Sequence, residues 1–283
     1  MPRFAANLSM LFTEHPFAER CDRAEAAGFR GVEVLFPYGE DVPAMAAALK
    51  RNGQELVLFN LPAGDFSAGE RGIANDPARI GEFRAGVARA LTIAEATGGR
   101  RINCLVGRQL TGPAIEDQWT AVVENLTFAA SELERAGVRL VVEPLNRYDA
   151  PGFLLPTTEA ALDLIDRVGH ANLALQYDVY HAQRGEGNLA ATIARHAARI
   201  GHIQIADSPE RHQPGTGEIN YPYIFAAIDR SGYDGWISLE YLPDGGTESS
   251  LSWLREWGFF NSSSGFRVNG SSSGRGTSGA PRS

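Results

Sequence analysis

The sequence predicts a single α/β domain, a (β/α)8 barrel in which eight parallel strands alternate with helices. Short apolar runs alternate strictly with segments of helical period, and the pattern repeats eight times across residues 1–258, the size range of such a barrel. Strict βα alternation implies parallel strands joined by right-handed crossovers. A third observation separates the closed barrel from an open doubly wound sheet. The open sheet expects a glycine-rich turn after its first strand, and Ser9-Met10-Leu11-Phe12 contains no glycine.

Phe4–Leu11 reads as the first strand and Pro16–Ala27 as a helix stopped by Gly28, since glycine closes helices by taking a left-handed conformation. The second unit pairs Gly31–Phe36 with Val42–Arg51 and ends at Gly53. The third strand, Glu55–Leu61, is followed by a long loop over 62–75 and a helix over Pro77–Ala96, closed by Gly98 and Gly99. Arg101–Val106 leads to the long helical pattern Ile115–Arg135, stopped by Gly137. Arg139–Pro144 precedes the helix Thr157–Val168, with Thr157 or Thr158 as N-cap and Gly169 as stop. Leu173–Val179 with Leu189–Ala198, His202–Ala206 with Tyr221–Ser231, and Gly235–Tyr241 with Thr247–Trp257 complete the set. Residues 259–283 lose periodicity and become rich in Ser and Gly from Asn261. They are expected to form a disordered tail outside the barrel.

Composition narrows the function. The formal charge is -8 and Lys50 is the only lysine, so a nucleic-acid backbone is not the expected partner. Schiff-base chemistry and a Walker A loop, which both need a lysine, are poor candidates as well. The two cysteines, Cys21 and Cys104, fall in apolar patterns and read as buried free thiols. The start of the chain shows no signal-peptide pattern, and no apolar run reaches the length of a membrane span. A soluble, cytoplasmic protein is expected. A homo-oligomer is compatible with the sequence but not required by it.

In such a barrel the active site lies at the C-terminal ends of the strands. The last four strands carry polar groups there: Glu143 in Val141-Val142-Glu143-Pro144, Asp178 in Gln176-Tyr177-Asp178, Gln204 in Ile203-Gln204-Ile205, and Glu240 in Ser238-Leu239-Glu240-Tyr241. Each is embedded in apolar sequence, where an ionised carboxylate is costly unless paired or metal-bound. Three carboxylates and an amide from adjacent strands make an all-oxygen site suited to a hard divalent cation, Mg2+ or Mn2+. His181, three residues after Asp178, faces the same mouth and could bind a substrate oxygen. His202, two residues before Gln204, reads as a deeper core group. Arg211, in the loop after strand seven, could clamp a substrate carboxylate or pair with Glu210 or Glu218. Arg71, in the long loop after strand three, is a second candidate anion contact on a segment that could act as a lid.

Six stretches, ANLSMLF, LFNLPAGDFSAGERG, VVEPLN, QYDVYHAQ, HIQIADSPERHQPGTGEINY and SLEY, together resemble the hydroxypyruvate isomerase family. That family belongs to the xylose-isomerase-like TIM barrels, alongside the ketose 3-epimerases. The match runs from about Ala5 to Trp257. The resemblance implies an acid/base pair at Glu143 and Glu240, and metal ligands at Glu143, Asp178, Gln204 and Glu240. It also implies substrate contacts at His181 and Arg211. Related epimerases often carry histidine where Gln204 stands, so glutamine favours the isomerase branch. The implied reaction moves a carbonyl by one carbon in a small keto acid, with no organic cofactor. Hydroxypyruvate to tartronate semialdehyde, or a 2-oxo-tetronate to its 3-oxo isomer, are the simplest cases. A ketose 3-epimerase, a non-catalytic sugar-acid binding barrel and a phosphodiesterase of the abasic-site endonuclease type are the alternatives.

Overall fold

Eight strands close into a parallel barrel in chain order: β1 (Arg3–Asn7), β2 (Gly31–Val34), β3 (Glu55–Asn60), β4 (Arg101–Cys104), β5 (Arg139–Val142), β6 (Leu173–Asp178), β7 (Ile200–Ile205) and β8 (Trp236–Leu239), with β8 paired back onto β1. The structure, a computed structural model, describes residues 2–260. The outer ring consists of α1 (Phe17–Ala26), α2 (Val42–Asn52), α3 (Ile80–Thr97), α4 (Ile115–Arg135), α5 (Thr158–Val168), α6 (Val179–Gly185), α7 (Leu189–His196) and α8 (Tyr221–Ser231), then the short α9 (Thr247–Ser250) and α10 (Ser252–Glu256). The closed barrel expected from the alternation is therefore the fold of the chain.

Local chemistry sets the helix ends. The Asp41 side chain accepts from the Ala44 N–H at 2.9 Å to open α2, and Gly53, at φ 61°, closes it. Thr157, not Thr158, caps α5 by accepting from the Ala160 N–H at 3.2 Å. Such caps satisfy the N–H groups that a helix start leaves unpaired.

Strand residues of one parity pack outward under the helices; Ile102, Leu140 and Ile237 belong to that large core. Residues of the other parity point into the barrel. Ala5, Val57, Val141, Ala174 and Trp236 form a small apolar floor there. The two-residue strand period then lifts Asn7, Glu143, Gln176 and Ser238 one step above the floor, and Asp178 and Glu240 two steps. The Trp236 ring fills the space beside Gly31, where a Cβ would come within 2.8 Å of it. Truncating Trp236 to alanine would remove most of this floor, at about 3–5 kcal/mol.

Some elements differ from expectation. β1 ends at Asn7 because that residue turns the chain: its Oδ1 accepts from the Ser9 N–H, and its carbonyl from those of Met10 and Leu11. A 3-10 turn, Pro77–Arg79, precedes α3, and the final helix breaks at Leu251. α6 was not expected; it starts directly from β6, with the Asp178 side chain accepting from the Tyr180 N–H at 2.8 Å. Its two turns are too short to show a helical period. Phe259 and Phe260 pack onto Phe4 and Phe29, with ring centroids 5.1 and 5.3 Å apart. Phe259 and Phe260, the first two residues of the expected tail 259–283, thus pack onto the barrel, while 261–283 lie outside the described residues. Both cysteines are free and buried. No helix among the described residues is long and apolar enough to cross a membrane.

Candidate active site

A cavity of about 300 Å3 opens at the C-terminal ends of the strands, bounded by Glu143, Glu240, His181, Arg211 and Arg71 and by an apolar wall that includes Leu35, Phe36 and Leu105. This is the small end of the range for ligand sites. Glu143, just past β5, is held through one oxygen: Oε2 accepts from Asn103 Nδ2 at 3.0 Å and Gln176 Nε2 at 2.8 Å. No group among the described residues hydrogen-bonds its Oε1. Glu240 is held through both. Oε1 accepts from Arg211 Nη2 at 2.5 Å, and Oε2 from Gln204 Nε2 and, at 3.4 Å, Asn7 Nδ2.

Asp178 caps α6 with Oδ1, while its Oδ2 is buried without a hydrogen-bond partner, 3.6 Å from Arg211 Nη2 and 3.7 Å from His181 Nε2. Gln204 Nε2 also donates to Glu33 Oε1 at 2.7 Å, and its Oε1 accepts from Gln176 at 2.6 Å. The four groups singled out at the ends of the last four strands thus join one buried web. Glu143, Asp178 and His181 each offer a ligand atom within 4.8 Å of the others and could hold a metal ion. The unbonded Asp178 Oδ2 and Glu143 Oε1 suit a hard divalent cation, which favours oxygen donors.

Burial dominates the electrostatics. It pushes Glu240 up to about 8, aided by the Glu33 charge and opposed by Arg211. Burial likewise raises Asp178 to about 7, against Arg211 and with Glu240 adding to it. Glu143 is raised well above the carboxylate range by burial and by the charges of Glu240 and Asp178. Removing these groups from water penalises their ionised forms, and like charges add to the penalty.

Arg211 stands at φ 59°, a left-handed conformation that costs a non-glycine residue on the order of 1 kcal/mol or more. Its N–H donates to the Asp207 carbonyl, and its guanidinium lies 4.9 Å over the Tyr180 ring. It pairs with Glu240 and Asp178 rather than with Glu210 or Glu218. His181 Nδ1 faces two donors, the Asn146 backbone N–H at 3.2 Å and Asn146 Nδ2 at 2.7 Å. The amide orientation is fixed, because Asn146 Oδ1 accepts from the N–H groups of Tyr148 and Asp149. Arg71 lines the opposite wall from the long loop after β3.

Glu33 is the residue that strand-end reasoning missed. It is fully buried, and it accepts from Asn7 Nδ2 at 2.8 Å, from Gln204, and from His202 Nε2 at 2.9 Å. Burial lifts it to about 7. His202 lies beneath the mouth, with Nε2 also 3.0 Å from Ser238 Oγ, and burial holds it well below its ordinary value. The available signal for Glu33 was a carboxylate inside the apolar run Gly31–Phe36.

Residues 21–257 match the xylose isomerase-like TIM barrel family. The chain is 51% identical to hydroxypyruvate isomerase of Escherichia coli over 90% of its length and 98% of that protein. It is 46% identical to 2-oxo-tetronate isomerase of Cupriavidus necator, covering 91% of this chain and 99% of that one. A solved structure described as an AP endonuclease, family 2, from Brucella melitensis superposes with a TM-score of 0.88 at 43% identity, over 91% of this chain and 99% of the other. The family match spans β2 to β8 and the relatives match nine-tenths of the chain, and by them the chain is an isomerase of the hydroxypyruvate isomerase family, within the xylose isomerase-like TIM barrels.

Proposed function

We propose that the chain is a divalent-cation-dependent isomerase of small hydroxy-keto acids, moving a carbonyl by one carbon through enediolate-type proton transfer between Glu143 and Glu240. The observation that carries this is the pair itself: two buried glutamates on one small cavity, Glu240 pushed up to about 8 and Glu143 held above the ordinary carboxylate range by burial. A general acid or base works best when its pKa lies near the working pH. One glutamate removes the carbon-bound proton, and the other delivers a proton to the adjacent carbon. Hydroxypyruvate to tartronate semialdehyde, or 2-oxo-tetronate to 3-oxo-tetronate, are the substrates favoured by the relatives' names.

Glu143, Asp178, Gln204 and Glu240 would hold the cation, Mg2+ or Mn2+, Gln204 through the carbonyl oxygen that accepts from Gln176. Bound there, the cation supplies Lewis acidity to the substrate's carbonyl and hydroxyl oxygens. His181 serves the substrate instead. Its Nδ1 accepts two N–H bonds, and burial disfavours its charged form, so the ring is neutral with its proton on Nε2. It can then donate to an oxygen on which negative charge develops. Arg211 and Arg71 complete the substrate contacts, and no organic cofactor enters this chemistry. The protein would act in the cytoplasm, with a small anion rather than nucleic acid as partner. The net charge of -8 speaks against an endonuclease reading, which needs a basic face.

A panel of keto acids and free ketoses in D2O, followed by NMR with Mg2+, Mn2+ or chelator, tests the proposal. Keto-acid turnover with solvent deuterium at the migrating position, abolished by chelator, is expected. Turnover of free ketoses alone would establish the 3-epimerase reading. Undiminished turnover in chelator would remove the cation from the mechanism.

A further inference from the structure

The two arginines at the mouth are held in opposite electrostatic settings. Arg211 sits among Glu240, Asp178 and Glu143, so an incoming anion there competes with resident carboxylates. Arg71 has no acidic partner among the described residues. Its neighbour Glu70 is engaged elsewhere, with Oε1 accepting from Arg79 at 2.6 Å and Oε2 from the Asp65 N–H at 2.5 Å. Burial, and then the charge of Arg108, hold Arg71 below its ordinary value. An anion is what this guanidinium lacks.

Arg71 is nonetheless fixed in place. Its guanidinium carbon lies 3.8 Å from the Phe66 ring centroid, and Phe66 leans on Phe36 with centroids 5.0 Å apart. Nη1 donates to the carbonyls of Phe66 and Glu70 at 3.2 and 2.8 Å. Nε and Nη2 make no hydrogen bond among the described residues. That edge is one of the two that form paired bonds to a carboxylate. The following residue, Gly72, at φ 107°, comes so close to the end of β4 that a Cβ would fall 1.7 Å from the Leu105 carbonyl oxygen. Backbone contact therefore sets where Arg71 stands, and Arg71, Phe66 and Phe36 all line the cavity with Glu143 and Glu240.

We infer that the Nε–Nη2 edge of Arg71 seats the substrate's carboxylate, and that this contact selects keto acids over neutral ketoses. The inference rests on the isomerase reading above. The carboxylate keeps its charge while the proton moves, so the contact is equally strong in the ground and transition states and its loss appears in KM. Lysine retains the charge but not the fork.

Steady-state kinetics of the wild type, Arg71→Gln and Arg71→Lys, each with Mg2+, test the assignment. The substrates are hydroxypyruvate and dihydroxyacetone, in which a hydroxymethyl group replaces the carboxylate. Arg71→Gln should raise KM for hydroxypyruvate about 100-fold with kcat falling less than about threefold, and Arg71→Lys should raise it about tenfold. The kcat/KM for dihydroxyacetone should change less than about threefold. An unchanged KM for hydroxypyruvate, or equal losses on both substrates, overturns the inference. Calorimetric titration with tartronate, which cannot isomerise, reads the contact without turnover. A Kd weakened about 100-fold in Arg71→Gln is expected, and an unchanged Kd overturns the assignment. A wild type that isomerises no keto acid while tartronate still discriminates the variant sinks the isomerase reading and leaves the carboxylate seat standing.

Discussion

The two halves of the barrel mouth are built from different chemistry. On the β5–β8 side stand Glu143, Asp178, Gln204 and Glu240, with His181 and Arg211 above them. On the β1–β4 side stand three amides, Asn7, Asn60 and Asn103, and a single carboxylate, Glu33. The amides donate to carboxylates on neighbouring strands: Asn103 to Glu143, and Asn7 to Glu33 and Glu240. An amide does not titrate, so its hydrogen bond persists while the carboxylate it holds gains or loses a proton. Among the strand residues, the charged half is thus equipped to react and the neutral half to hold it in register, while Arg71 reaches the same mouth from the loop after β3.

The comparison breaks first at the glutamate pair. Glu143→Gln and Glu240→Gln should each lower kcat by about 10^3-fold or more, as loss of a positioned acid or base does. NMR turnover of hydroxypyruvate measures it, and full activity in both variants would end the acid/base assignment. Glu33 is the next largest test, being the one carboxylate on the neutral side. Glu33→Gln swaps an acceptor for an N–H facing Asn7, Gln204 and His202 donors. It should cost about 1–3 kcal/mol of stability and lower kcat about 30-fold by misplacing Gln204 and Glu240. Denaturant unfolding and kinetics read the two effects separately. A loss equal to that of Glu240→Gln would make Glu33 part of the reacting set.

The charged half was the legible one. A carboxylate at the end of an apolar strand contradicts the burial preference of its neighbours, and three such groups with an amide on adjacent strands mark one mouth. Glu33 carries the same contradiction, but it lies within Gly31–Phe36 rather than at its end, below where barrel sites are sought. The asparagines gave no pattern of their own. Asn7 reaches Glu240 across 233 positions, a contact that exists only once β1 and β8 close the barrel. The pairing of Arg211 with Glu240 depends on the left-handed backbone at Arg211, which the loop sequence does not dictate. The eight-fold alternation was readable because each strand and helix carries its own period; α6 was not, because it is too short to carry one.

The buried carboxylates of both halves should also make the metal-free protein sensitive to alkali. Glu240 near 8 and Asp178 and Glu33 near 7 all lie above ordinary carboxylate values. A raised folded-state pKa means that the folded chain binds more protons than the unfolded one between roughly pH 4.5 and 8, so stability falls as pH rises through that window. After chelation, Tm should drop by several degrees, on the order of 5 °C, between pH 5.5 and 8.5. Mg2+ should restore more of it at the higher pH, because a cation binds the ionised ligands. Differential scanning fluorimetry checks both, and Glu240→Gln should flatten the slope. A Tm that rises with pH would contradict the burial of these groups as acids.

The smallest effect should come from the neutral half. Asn103 Nδ2 gives Glu143 one of its two hydrogen bonds, and the other, from Gln176, remains when Asn103 is truncated. Asn103→Ala should therefore lower kcat only about three- to tenfold. Removing a donor to the ionised form raises the carboxylate's pKa, so the acid limb of the pH–rate profile should move to higher pH. Asn60, which touches Asn103 but not Glu143, should move neither kcat nor the limb appreciably when truncated. A limb that stays in place in Asn103→Ala would mean that the amide only fills space, and the neutral half would lose its claim to set the glutamate's proton affinity.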